Sequence, residues 1–241
     1  MQKRTTQSKT PCQMDYLFGT KPPRTKVSKI SHQRIISTKP GVKSIPWWYS
    51  VGMNEVVTIL ERLREVAMGQ HGLVSSEQAS KEGIPRQELV KLAVRGRLER
   101  LKRGVYLVPQ VPGSRYQNWA LAVLWTGAPE ACLSHETALA AWEISDINPN
   151  QIHITVGKHR RLRRAGGERY IIHHADLADS QRTSFEQIPI TNVPATIEQC
   201  IVWGTPTYLI KQALERAGLT GQLLKADGEN LMRKLEHRDN G

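Results

Sequence analysis

Residues 73–109, LVSSEQASKEGIPRQELVKLAVRGRLERLKRGVYLVP, place two short helices and a basic β-hairpin in fixed order, and that order limits the possible folds more than any other stretch. Ser75 and Gln78 have the spacing of a capping box, in which two orphaned backbone donors are satisfied reciprocally. Gly83 supplies a stop. Pro85 then takes the first helical position, where a missing amide costs nothing. At roughly 100° per residue, Leu89, Leu92 and Ala93 share one face of this second helix. Gln87, Glu88, Lys91 and Arg95 occupy the opposite arc. Beyond Gly96 two strands are expected, joined at 102–104.

Upstream, Val56, Leu60, Leu63 and Ala67 repeat at spacings of four, three and four, the signature of an amphipathic helix opening near Met53. Three helices and a hairpin describe a winged helix-turn-helix over 53–110, with its second helix built to lie in a DNA major groove. Between Ile84 and Gly104 stand Arg86, Lys91, Arg95, Arg97, Arg100, Lys102 and Arg103 against only Glu88 and Glu99. Such crowding suits a phosphate-neutralising surface. For a single helix, a merely solvated charged face would be the better reading. The ordered set of signals favours DNA, with a protein-interaction module as the alternative.

The net charge of +12 is unevenly placed. Residues 1–52 carry ten Lys or Arg against Asp15 alone, +9 of the total, and the other 189 residues carry only +3. That segment is polar, lacks sustained periodicity, and is expected to be disordered. It is either a basic arm adding phosphate contacts or a stretch preceding a natural start at Met53, and the second reading is preferred. Hydrophobic content of 39% permits a real core. The longest apolar run, 119–125, is far short of the roughly 20 residues a bilayer helix needs. No membrane association is expected. Cys12, Cys132 and Cys200 lie far apart with no paired spacing, which fits a reduced cytoplasmic protein.

After a linker at 111–115 the pattern changes. Segments 116–125 and 134–142 read as helices, the second with Ser134 as N-cap. Residues 151–156 and 169–174 read as strands paired across a basic hairpin loop. A short strand follows at the start of 188–202, then a helix started by Pro194. Helices are expected at 206–217, ended by Gly218, and near 229–236. The fold class is therefore α+β: an N-terminal winged helix-turn-helix followed by a small mixed α/β domain, 116–241, with a helical C-terminal tail. The loop residues Lys158, Arg160, Arg161, Arg163 and Arg164 offer a possible secondary nucleic-acid contact, weighed equally against a solvated hairpin tip.

Catalytic readings dissolve, and no enzyme activity, cofactor or metal is assigned. Ser134, His135 and Glu136 are consecutive, so on a helix they point in different directions and read as a cap rather than a relay. His153, His173 and His174 with Asp176 lack a tight ligand spacing. No Glu-X-Lys triplet follows a strand in the second half, and GTPTYLIK lacks the ending of a phosphate loop. Trp119, Trp125, Trp142 and Trp203 read as core.

Three motifs in order, GIPRQELVKLAVRGRLERLKRGVYLVP, CLSHETALAAWEISDINPNQIHITVGKHRR and IPITNVPATIEQCI, resemble the AbiEi family, the antitoxins of type IV toxin-antitoxin systems. The likeness spans about 53–218, roughly two thirds of the chain. It implies a DNA-binding repressor that regulates its own operon and counteracts a nucleotidyltransferase toxin. In that family the winged helix reads the operator, which here corresponds to Arg86, Gln87, Lys91 and Arg95 with the wing residues Arg100, Lys102 and Arg103. The basic extension before Met53 departs from the family's usual compact start. Arg86 and Gln87, at the N-terminal end of the second helix, are the base-reading candidates, and the wing cations would position the module. Two other readings stay open: a ligand-responsive winged-helix regulator without a toxin, and a DNA-targeted nuclease.

Overall fold

A reciprocal pair of hydrogen bonds between Thr58 and Glu61 opens α1 (Ile59–Met68), whose Leu63 and Ala67 are fully buried. The structure, a computed structural model, describes residues 58–163 and 165–241. The basic extension 1–52, the start at Met53, Cys12, Val56 and Arg164 lie outside the described residues. The helix expected to open near Met53 is capped at Thr58, where the capping box supplies the local signal.

β1 (Leu73–Ser75) leads into α2 (Ser76–Lys81), and the Ser75–Gln78 capping box forms as its spacing predicts. Gly83, at φ 70°, then reverses the chain. Pro85 is the N-cap of α3 (Arg86–Val94) rather than its first helical residue, because its ψ of 145° is still extended. β2 (Glu99–Lys102) and β3 (Val105–Leu107) pair antiparallel around Arg103 and Gly104 as expected. The sequence reading had no place for β1, which pairs with β3 and makes a three-stranded sheet of order β1-β3-β2.

In that small sheet β1 and β3 are buried on both faces, while β2 is exposed at Glu99 and Arg100. Successive side chains of a strand alternate between faces. Val74 and Tyr106 join a core with Leu63, Ala67, Ile84 and Leu89, while Leu73 and Val105 join a second core with Ala120, Val123, Leu133 and Ile154. The sheet therefore belongs to both halves of the chain.

The second core is built on α4 (Gln117–Thr126), β4 (Cys132–Leu133), α5 (His135–Ala141), β5 (Ile152–Val156), β6 (Tyr170–His174), β7 (Arg182–Phe185) and β8 (Ile188–Thr191). Their five strands run in the order β6-β5-β4-β8-β7. β7 and β8 form a hairpin whose turn residues, Glu186 and Gln187, both have positive φ, as a tight two-residue turn requires. Neither β4 nor β7 was legible beforehand.

One pairing differs from expectation. β5 and β6 run parallel, Ile152 opposite Tyr170 through Val156 opposite His174, so the basic loop is a crossover and not a hairpin tip. Parallel neighbours need a connection of about a dozen residues, and 157–169 supply it. Side chains that hold the crossover down include the Trp125 indole, which donates to the Ala165 carbonyl, and the Lys102 ammonium, which donates to the Gly166 carbonyl.

Three helices close the far side: α6 (Val193–Trp203), α7 (Thr207–Leu219) and α8 (Lys225–Asn240). Asn192 caps α6 by accepting from the Ala195 amide, which puts Pro194 at its second position and not its first. α7 runs through Gly218 and stops where Gly221 adopts φ 72°. α8 is about twice the length expected, because Leu231 and Leu235 seat it against Ile197, Cys200 and Ile210. Among the described residues no helix is long and apolar enough to cross a membrane.

Candidate nucleic-acid interface

α3 divides as its periodicity predicts. Leu89 is fully buried and Leu92 and Ala93 half-buried, while Arg86, Gln87, Lys91 and Arg95 are exposed. Lys91 pairs with Glu88 at 2.7 Å within the helix, a surface contact of little energetic weight. Two residues that the charge pattern hid complete this face: Val90 and Val94 are 46% and 83% exposed. An apolar side chain between cations on an otherwise polar face suits contact with a thymine methyl group. The signal was available in the sequence as two valines off the packing face.

The wing cations separate into two kinds. Arg97, Arg100 and Arg103 are exposed, whereas Lys102 is half-buried and spends its ammonium on Gly166 at 3.0 Å. Lys102 is thus an anchor for the crossover, placed there by the bulge between Arg100 and Lys102. The crossover's Lys158, Arg160, Arg161 and Arg163 are all exposed. Arg160 makes a two-pronged contact with Glu130 at 2.8 and 2.7 Å, and this pairing holds the Glu130 carboxyl below the usual range. Arg86 from α3, Arg103 from the wing and Arg163 from the crossover line one shared depression, with Glu77 at its edge. Three segments that are distant in sequence thereby present their cations side by side.

Elsewhere the sequence-selected groups fall differently. His153 and His173 lie on the same face of β5 and β6, with His153 Nδ1 3.0 Å from His173 Nε2. His174 points to the other face and Asp176 accepts from the Lys158 amide, so neither joins them. His135 does join: its ring stacks on His173 with centroids 3.5 Å apart. Ser134 precedes α5 but its hydroxyl does not cap it; the hydroxyl meets His135 Nδ1 at 2.9 Å and accepts from Thr155 Oγ1 at 2.8 Å. Adjacent residues touch here because Ser134 is extended and His135 has a positive φ of 50°. Glu136 lies 3.7 Å from His153 and not against His135, so no Ser-His-Glu relay forms. Burial and the neighbouring rings push His135 down to about 3 and His173 down to about 4. Trp119 and Trp142 pack against the second core and Trp125 is buried, as expected, but Trp203 is 48% exposed and stands roughly perpendicular to all three histidine rings. Cys132 and Cys200 are buried thiols pushed up to about 11 and about 12, which removes them from thiolate chemistry.

The order α1-β1-α2-α3-β2-β3, with an exposed cationic face on α3, is an arrangement of the winged helix-turn-helix class. Residues 61–109, which span that arrangement almost entirely, match the family model described as a transcriptional regulator, AbiEi antitoxin. The resemblance carried by the sequence motifs is thereby shown over this segment. No curated protein matches the chain in sequence. Among solved structures, the crystal structure of the RV2827C protein from Mycobacterium tuberculosis is similar at a TM-score of 0.39 and 16% identity, over 80% of this chain and 83% of that one.

Proposed function

We propose that the protein is a DNA-binding transcriptional repressor and the antitoxin of a type IV toxin-antitoxin system, binding the operator of its own operon and counteracting a nucleotidyltransferase toxin. In this reading 53–110 is the operator reader and 116–241 the antitoxin part. The observation that carries it is the exposed face of α3, where Arg86, Gln87, Lys91 and Arg95 stand clear of the core beside Arg103 and Arg163. Arg86 and Gln87 read base edges in the major groove, because a recognition helix approaches bases most closely at its N-terminal end. Arg97, Arg100, Arg103 and the crossover cations neutralise the flanking phosphates and fix the register.

Footprinting on the protein's own promoter tests the operator claim. With about six phosphates engaged, affinity falls roughly 10³-fold between 50 and 200 mM salt. Gln87→Ala relaxes sequence preference, while Arg103→Ala weakens specific and random DNA alike. Equal effects of both substitutions on both DNAs overturn the division of labour. A nucleotidyltransferase gene beside this one, and co-expression with its product, test the antitoxin claim: growth must recover with the full chain and fail without it.

A further inference from the structure

We propose that His135, His153 and His173 form a binding site for a divalent transition-metal ion, zinc first among them. The three rings come from the start of α5, from β5 and from β6, and their ligand nitrogens all lie within 4.8 Å of one another. Imidazole is a preferred ligand for zinc, and three protein ligands with an open fourth position is a standard zinc arrangement. Two nitrogens on one tetrahedral zinc stand about 3.3 Å apart at Zn–N distances of about 2.0–2.1 Å. His153 Nδ1 and His173 Nε2 are already 3.0 Å apart.

Contacts at the opposite nitrogen indicate which nitrogen faces the ion for His135 and His153, and the close approach of His153 indicates Nε2 for His173. A metal-binding histidine usually gives its other nitrogen to a carboxylate or a neighbouring polar atom, which fixes ring orientation and tautomer. Ser134 Oγ holds His135 Nδ1 at 2.9 Å, leaving Nε2 for the ion. Glu136 stands 3.7 Å from His153 Nε2, leaving Nδ1, and Glu136 is itself held by the Thr205 hydroxyl at 3.1 Å. The three nitrogens so left, His135 Nε2, His153 Nδ1 and His173 Nε2, are the ligand set.

Two features go beyond what a hydrogen-bonded core cluster needs. His135 holds φ 50°, a left-handed conformation, and its ring lies beside those of both His153 and His173. His135 and His153 are buried, 8% and 2% exposed, while His173 is half-buried and Trp203 lies edge-on over the group. The cluster is thus mostly sheltered, with His173 its most exposed member. Because an imidazole binds metal in its own ring plane, loading turns His135 out of its 3.5 Å stack on His173.

The test uses untagged full-length protein, stripped with chelator and titrated with Zn2+ and, separately, Co2+. One equivalent per chain, a raised thermal midpoint and the visible absorption of tetrahedral Co2+ are expected. Nitrogen NMR must show the coordination shift at His135 Nε2, His153 Nδ1 and His173 Nε2. His173→Gln, at the most exposed of the three, abolishes stoichiometric binding, and His174→Ala on the opposite face leaves it intact. Absence of one-equivalent binding by the wild-type chain overturns the site without recourse to any variant. So does an octahedral Co2+ spectrum, or binding that survives His173→Gln and is lost with His174→Ala.

Discussion

The Lys102 ammonium donates to the Gly166 carbonyl across 3.0 Å, which ties the wing to the crossover between β5 and β6. On the proposed reading, a wing cation that also anchors protein contributes less to phosphate contact than its exposed neighbour Arg103. Arg103→Ala should lower the magnitude of the salt slope of DNA binding by about one, the value of a single phosphate contact. Lys102→Met should leave that slope unchanged and speed amide exchange across 158–167. A full unit of slope lost with Lys102→Met returns it to the phosphate-binding set.

Val94 touches little of its own protein, being 83% exposed on α3. Val94→Ser should therefore leave stability within about 0.5 kcal/mol, the ordinary range for surface substitutions. Its effect should appear in competition binding, as a loss of preference for thymine at one operator position. Unchanged preference at every position removes Val94 from the base-facing side.

Leu73 and Leu89 are both fully buried, yet they sit in different cores joined by the β1-β3-β2 sheet. Leu73→Ala and Leu89→Ala should each cost about 2–5 kcal/mol. Because the sheet is common to both cores, far- and near-ultraviolet dichroism should follow one coincident denaturant transition in each variant. Two separated transitions would show that the cores unfold independently.

Asp146 accepts two hydrogen bonds from Arg216, at 2.7 and 3.1 Å, and one from Gln212, and these hold its carboxyl below the usual range. A carboxyl whose folded pKa is depressed contributes stability above its unfolded value, near 3.9, and loses it as pH falls through the folded value. Asp146→Asn should thus be less stable than wild type at pH 7. Urea titrations down the acid limb should show the gap closing. A gap of constant size would assign the effect to packing and not to charge.

What the sequence revealed was local. The Ser75–Gln78 capping box, the buried stripe of α3 and the hairpin around Gly104 are each written within a few residues, so they could be read in place. β1, β4 and β7 are two to four residues long, too short for a period-two pattern to stand out. The parallel β5–β6 pairing comes with a crossover that Trp125 and Lys102 contact from 40 and 64 residues away, which no local pattern reveals. His135 looked like part of a helix start because its neighbours are a serine and a glutamate. Its association with His153 and His173 exists only after the sheet has formed, and no spacing along the chain encodes it. On the candidate interface, the cations were visible as a cluster, but their separation into anchor and exposed groups required coordinates.

The wing sheet, with β1 and β3 covered on both faces, bears on how this architecture can be divided. A fragment ending near residue 110 would keep α3 and its cations but leave Leu73, Val105 and Leu107 bare along one side, stripped of α4. Such a piece would expose a contiguous apolar patch and tend to self-associate. α3 is therefore no interchangeable cartridge: the sheet it packs on shares its aliphatic contacts with the C-terminal half.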